Sequence, residues 1–329
     1  MVGAGVVCIF NRNPIALATA AIIGVISPSG NEIGPFLSVE QAALTQLLPG
    51  KKRTQTFAWY ALAGSLATAT GALPGGWLAQ GLQNEGFSAI NAYRIVLAGY
   101  AFGGAILIDF FLSLSKAVVI SSVDKTGRSL FLGLHRSRSV VLRLSGLFAM
   151  EAFARALLVQ SLLAYWFHVK FGVETGVLGS IFFGANILAG LSVLFAARIA
   201  RRFGLINTMV FTHVPSNIFL ILLPLMPNLP LAIGILLARF SISQMDVPTR
   251  QSYTMAVVAP DERSAASGVT TIARSVGAAL SPSLTGYLMA VPVLFSTPFF
   301  LSGGLKSVYD LLLYKSFRGL KPPEESGSR

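Results

Sequence analysis

The chain is poor in charge, and in acid above all. Of its 329 residues 12% are charged, with 13 acidic against 25 basic side chains. A soluble domain carries about twice that charged fraction, so a water-exposed globule is excluded. Cysteine is almost missing: Cys8 stands alone, which removes a disulfide framework and a thiolate metal centre. The three histidines, His135, His168 and His213, are scattered with no metal-ligand spacing. Gly3-Ala-Gly5 begins a G-x-G pattern, but Cys8 occupies the place of the third glycine and no βαβ pattern follows, so it is not a dinucleotide site. The chain has no P-loop, which excludes an ATP-driven pump within it, and neither G-x-S-x-G nor H-E-x-x-H, which argues against an intramembrane hydrolase or zinc protease. Neither a cofactor nor an enzymatic activity is expected.

What is abundant is apolar sequence. Hydrophobic residues make up 53% of the chain, and the mean hydropathy is +0.68. A membrane helix needs about 20 apolar residues, and nine runs satisfy this: 15–47, 54–79, 93–115, 141–167, 174–197, 205–226, 229–257, 264–290 and 292–315. They lack the alternating pattern of a barrel, and lipid tolerates only helices or closed barrels. The expected fold is therefore all-α, a polytopic helical membrane protein with about nine complete spans. Pro28, Gly30, Gly34 and Pro35 predict a bend in the first.

The basic residues set the orientation. Lys51, Lys52 and Arg53; Lys116, Lys125, Arg128, Arg136, Arg138 and Arg143; Arg198, Arg201 and Arg202; Arg263; and the tail residues Lys315, Arg318, Lys321 and Arg329 all fall on one side, 17 of the 25. The other side holds Arg12, Arg94 and Lys170. This positive-inside pattern places the C-terminus in the cytoplasm. The net charge of +12 thus follows from topology. The basic residues form no compact domain, so nucleic acid is not an expected partner. Residues 1–10, apolar but too short to cross, read as the last third of a helix.

The chain also resembles itself at a separation of about 210 residues. Pro49 to Thr54 mirrors Pro260 to Ser264; Gly76-Trp77-Leu78 mirrors Gly286-Tyr287-Leu288; Glu32 to Pro35 mirrors Asp246 to Pro248. Parallel six-helix halves are a known transporter architecture. The offset implies about 70 residues, roughly three helices, ahead of Met1, so the nine spans are expected to be the last nine of twelve.

With these features the chain resembles the major facilitator superfamily. The resemblance rests on the Pro and basic loop after the first span, the glycine-rich second span (Gly64, Gly71, Gly75, Gly76), and the long loop between halves. The segment Arg198-Ile-Ala-Arg201-Arg202-Phe203-Gly204 resembles the family's D-R-x-G-R loop, although Arg201 replaces its acidic residue and Leu205 its following basic one. The resemblance implies a two-bundle architecture. Residues 1–115 would be an incomplete N-terminal bundle, 116–140 a cytoplasmic inter-bundle loop, 141–316 a six-helix C-terminal bundle, and 317–329 a cytoplasmic tail. It also implies that the family's helices 4, 7 and 10 line a central cavity.

Those helices hold seven of the chain's eleven intramembrane charges: Glu32 and Glu40, Glu151 and Arg155, and Arg239, Asp246 and Arg250. Such charges are costly and mark a pathway or a partner. Glu151 and Arg155, four apart, are expected to pair. Arg239, Asp246 and Arg250 share one face of a regular helix, with Pro248 as a break. Glu32 lies beside Gly34 and Pro35. One reading is proton coupling and substrate binding at these residues; the other is static ion pairing that fixes packing. Asp109 is expected to snorkel and Lys306 to pair with Asp310. Arg274 faces either the cavity or the other half. The glycines of the second and eighth spans are expected to pack across the halves. Trp59, Tyr60, Trp77, Tyr165, Trp166 and Tyr253 read as interfacial anchors or as stacking groups for a substrate.

The function expected is a secondary active transporter of a small solute, working by alternating access, proton-coupled, in the plasma membrane and monomeric. Export of organic, drug-like compounds is the favoured direction. Uptake of an organic anion or nutrient, and a truncated non-transporting protein, are the alternatives.

Overall fold

The computed structural model describes residues 2–23, 53–113 and 134–319. Among them the regular elements are all helical. They run α1 (Val2–Phe10), α2 (Pro14–Ile23), α3 (Arg53–Asn84), α4 (Ala89–Leu112), α5 (Arg138–Ala156), α6 (Gln160–Phe171), α7 (Thr175–Phe203), α8 (Leu205–Leu222), α9 (Leu229–Ser243), α10 (Asp246–Ala256), α11 (Arg263–Ala290) and α12 (Thr297–Phe317), with short 3-10 turns at Leu223–Leu225, Pro260–Glu262 and Pro292–Leu294. Glu32, Glu40 and most of the first expected span and the inter-bundle loop lie outside the described residues.

Five segments are long and apolar enough to cross a bilayer: Ala89–Phe110, Arg138–Phe171, Thr175–Phe203, Leu205–Leu225 and Leu229–Ala256. The helices α3, α11 and α12 have the length, about 48, 42 and 32 Å at about 1.5 Å per residue. Their apolar content is diluted, by Ser, Thr, Gly and Gln in α3 and α11 and by Lys306, Asp310 and Lys315 in α12. Val2–Phe10 are helical. Gly5 of α1 lies so near α4 that a Cβ there would come within 2.9 Å of the Ala101 Cβ. The side chain of Asn13 then accepts from the backbone N–H of Ile15 at 2.9 Å and starts α2.

Two expected spans are each two helices. The run 229–257 is interrupted at Gln244 and Met245, between α9 and α10. Pro248 has no N–H to give the carbonyl of Gln244, and its ring crowds that carbonyl, so a helix arriving from α9 ends before it. The run 141–167 breaks between Ala156 and Gln160, where the sequence has no proline or glycine. Here tertiary partners compete with the helical ladder. Ser281 and Thr285 of α11 donate to the carbonyls of Phe153 and Leu157 at 2.8 and 2.9 Å, and Ser302 of α12 donates to Ala154 at 2.6 Å. Backbone groups freed inside a membrane must be satisfied in this way.

Close helix pairs hold the molecule together. α3 lies along α7, where a Cβ on Gly76 would meet the Thr175 carbonyl at 2.7 Å. Trp77 seals the same seam, its Nε1 donating to Ser180 at 2.9 Å. α11 lies along α5, with Gly277 so near that a Cβ would overlap the Ala149 carbonyl. A close small-residue contact is thus present at Gly76, against α7, whereas Gly277 packs onto α5. Gly64 and Gly71 face open space.

Candidate functional site

Two apolar clusters fill the region from α5 to α12. One contains Trp166, Phe167, Phe182, Leu220, Leu236 and Phe299. The other contains Leu144, Phe148, Met209, Tyr253, Tyr309 and Leu313. Along each helix pathway the charges fall between them. On α5 Glu151 and Arg155 follow Phe148; on α8 His213 lies between Met209 and Leu220; on α12 Lys306 and Asp310 lie between Phe299 and Leu313. Asp246 and Arg250 lie between Phe240 on α9 and Tyr253 on α10. Trp166 and Tyr253 are both fully buried, so they are core residues, unlike Trp59, Trp77 and Tyr165, which are more than half exposed. The polar layer is a slab within the membrane-spanning helices, closed above and below by hydrocarbon.

Its centre is Glu151, fully buried. Arg155, one turn on, places Nε 2.6 Å from Oε1. Arg274 of α11 and Arg250 of α10 place Nη1 3.0 and 3.4 Å from Oε2. Arg250 also reaches Asp246 Oδ2 at 2.9 Å, and Arg155 approaches the same oxygen at 3.6 Å. Three helices therefore converge on one carboxylate. Burial of that carboxylate is tolerable only because both oxygens are met by guanidinium groups in low dielectric. The i,i+4 pair expected from the sequence between Glu151 and Arg155 is present, and Asp246 and Arg250, expected to share a helix face, are also paired. Arg274 joins α5 within the same cluster.

Four further residues join this layer that the sequence did not single out as one site. His213 Nδ1 lies 2.9 and 3.1 Å from the two oxygens of Asp310, and Asn217 donates to Asp310 Oδ2 at 2.8 Å. The expected Lys306–Asp310 pair is not formed: Asp310 turns to α8, where an imidazole and an amide wait. Lys306 is 3% exposed and makes no ion pair among the described residues, while Arg239, Arg155, Glu151 and Asp246 all act on its charge. Arg239 of α9 stacks near Phe240 with its guanidinium carbon 5.4 Å from the ring centre, and its buried Nε has no partner. Buried Arg155 Nη2 and Asp246 Oδ1 are likewise without hydrogen-bond partners. The signal available in the sequence was that His213, Lys306 and Asp310 lie at the same depth as Glu151, about 10–20 Å along their helices from the basic ends.

Glu151, His213 and Asp246 bring ligand atoms within 4.8 Å of one another, a grouping that elsewhere holds a metal. Here Arg155, Arg250 and Arg274 already occupy both Glu151 oxygens and Asp246 Oδ2. A divalent cation would add charge to a cluster in which cations are in excess, so the donor set does not fit a metal.

At the basic end the chain just ahead of α5 is clasped. Glu262, 1% exposed, accepts the backbone N–H groups of His135, Arg136 and Ser137 just ahead of α5, at 2.8 Å from Arg136 and Ser137. Burial alone would raise this carboxyl, but the Ser137 hydroxyl and those backbone donors outweigh it and hold it down at about 2. Of the loop motif, Gly204 supplies the turn between α7 and α8 with φ of 86°, a left-handed conformation open to glycine. Arg198, Arg201 and Arg202 are exposed and make no ion pair among the described residues. Asp109 is exposed near the end of α4.

Three comparisons bear on this arrangement. A bacterial homologue of the iron transporter ferroportin, solved in an outward-facing state, shares the fold at a TM-score of 0.57 and 16% identity, over 95% of this chain and 79% of that one. An uncharacterized membrane protein of Saccharomyces cerevisiae, YJR124C, is 29% identical over 350 residues, covering 97% of this chain and 78% of the relative. The sequence model of the Major Facilitator Superfamily matches residues 1–282. With these matches, its membrane-crossing helices and its intramembrane charge layer, the chain belongs to the Major Facilitator Superfamily.

Proposed function

We propose that this membrane protein is a secondary active transporter that moves a small organic solute by alternating access and couples that movement to protons. The observation that carries the reading is the layer of ion-paired charges at mid-depth, assembled from five helices and sandwiched between two apolar clusters. Such a layer is costly to maintain, and its unsatisfied atoms (Arg155 Nη2, Arg239 Nε, Asp246 Oδ1) leave bonds for a solute to make. In this reading Glu151, Arg155, Arg239, Asp246 and Arg250 line the path, and Glu32 and Glu40, outside the described residues, belong to the same pathway. The segments 1–115 and 141–316 are the two bundles that rock about it.

The proton is carried by Asp310 with His213. Glu151 is held by three guanidinium groups and Asp246 by two. Asp310 faces neutral Asn217 and an imidazole, with Lys306 and Tyr309 beside it on α12 and Asp246 facing it from α10. Positive-inside charge supports a cytoplasmic C-terminus; a monomer in the plasma membrane that exports its solute completes the proposal.

The test is proton flux in proteoliposomes loaded with a pH dye. Solute-dependent dissipation of a pH gradient, lost in Asp246→Asn and kept in Asp109→Asn, is expected across a panel of organic solutes. Equal flux in both variants would reduce the network to static packing.

A further inference from the structure

Among the described residues, charge in this layer does not balance. Arg250 and Lys306, both buried, and Arg155, Arg239 and Arg274, half-buried, bring five positive charges, against three buried carboxylates in Glu151, Asp246 and Asp310. The imbalance is not spread evenly. Glu151 and Asp246 are saturated by Arg155, Arg250 and Arg274, and Asp310 by His213 and Asn217. Arg239 and Lys306 are left over. Lys306 is 3% exposed and has no hydrogen bond or ion pair among the described residues. Arg239 has a buried Nε without an acceptor. Arg239 and Arg155, whose Nη2 makes no hydrogen bond, both act on the charge of Lys306, and Arg155 acts on that of Arg239. Uncompensated cations of this kind are expensive inside a bilayer. The unpartnered donors of Arg239 on α9 and Lys306 on α12, with the Arg155 Nη2 of α5 that makes no hydrogen bond, are complementary to an oxyanion.

Resting on the transporter reading, we infer that the transported solute is a small organic anion whose carboxylate or phosphate group binds between Arg239, Lys306 and Arg155. Arg239 and Arg155 offer planar forks suited to a two-oxygen group, and Lys306 adds a point charge. Asp246 Oδ1, a buried acceptor without a hydrogen-bond partner among the described residues, would take a hydroxyl or amide hydrogen from the rest of the molecule. An organic cation or a neutral lipophilic drug would leave the excess charge unanswered. The proton that enters with Asp310 on each cycle is then exchanged against, or carried with, negative charge.

The experiment is thermal denaturation of the full chain in detergent, with succinate, glycerol 3-phosphate, inorganic phosphate and tetraethylammonium as separate probes. Succinate or glycerol 3-phosphate is expected to raise Tm by about 5 °C near saturation, and which of the two acts better separates carboxylate from phosphate recognition. Tetraethylammonium should do nothing. In Arg239→Gln and Lys306→Gln the anion-induced shift should vanish, while the ligand-free Tm should hold or rise, because an unpaired buried charge has been removed. Stabilisation by tetraethylammonium overturns the inference, as does an unchanged anion response in Arg239→Gln. A marked fall of the ligand-free Tm in both variants overturns it too, since it would show that the chain itself supplies the missing carboxylates. The wild-type comparison needs no variant to fold. Anion-dependent stabilisation without counterflow of any solute would leave this site standing and sink the transport reading. Counterflow of organic cations alone would do the reverse.

Discussion

His213 and Asp310 meet across α8 and α12 in a region closed to water: the imidazole Nδ1 lies 2.9 Å from one carboxylate oxygen and 3.1 Å from the other, and the two side chains are 3% and 1% exposed. An acid and a base are thus held at one point of a layer where every other carboxylate is pinned by guanidinium groups. Replacing Asp310 by Asn keeps the hydrogen bond to His213 and removes the titration. Asp310→Asn is expected to lower pH-gradient-driven accumulation about tenfold or more while leaving counterflow without a gradient within about threefold. Equal losses in both assays would mean that the pair holds α8 to α12 and does not carry the proton.

Glu262 gives a stability effect with a defined sign. Its carboxyl is held at about 2 in the folded chain, below the ordinary 4.5. The depressed value means that the charged form is favoured by folding, so the contribution is fully present above about 4.5 and is lost as pH falls from there toward about 2. A melting series between neutral pH and pH 3 should show Tm falling through the acid range, and Glu262→Gln should flatten that part of the curve. At neutral pH Glu262→Ala is expected to cost about 2 kcal/mol, since it strips three backbone donors ahead of α5 of their acceptor. A Glu262→Ala protein with wild-type Tm at pH 7 would show that the clasp is incidental.

Much of this was legible in the sequence because membrane helices announce themselves by length and composition. The spacing of Glu151 to Arg155, and of Asp246 to Arg250, placed each pair on one helical face, where the structure has them. Pro248 marked the break between α9 and α10 for a reason that lives within five residues. The remainder depends on contacts between distant segments. Nothing local at Ala156 ends α5; the hydroxyls that meet its last carbonyls, Ser281, Thr285 and Ser302, come from more than a hundred residues away. The local i,i+4 spacing of Lys306 and Asp310 pointed to a pair, but the geometry of α8 offered Asp310 better partners and left the ammonium alone. His213 looked isolated because its companions, Asp310 and Asp246, belong to other helices.

The hydroxyls at the α5 break make a graded prediction. Thr285→Val keeps the shape of the side chain and deletes its bond to the Leu157 carbonyl. Single hydrogen bonds between membrane helices are worth about 0.6 kcal/mol on average, so Thr285→Val and Ser281→Ala should each cost about that much. Ser302→Ala, whose bond to Ala154 is the shortest of the three at 2.6 Å, should cost the most. Losing all three should exceed the sum of the single losses, because the freed carbonyls would lie together in a dry site. Unfolding by denaturant in mixed micelles measures each. Additive or negligible effects would assign the break to α5 and α6 themselves.

Gly277 and Gly286 sit on the same helix and should answer differently. A Cβ on Gly277 would overlap the backbone carbonyl of Ala149, whereas nothing lies within 4 Å of one on Gly286. The neighbour at Gly277 is main chain, which cannot rotate away, so relief requires α11 to move off α5. That movement would carry Arg274 away from Glu151, now 3.0 Å apart. Gly277→Val is therefore expected to destabilise by about 1–3 kcal/mol and to weaken transport together with stability. Gly286→Val should leave both near wild type. If Gly277→Val kept its Tm and lost transport alone, the close approach would matter for the motion of α11 against α5 and not for their resting contact.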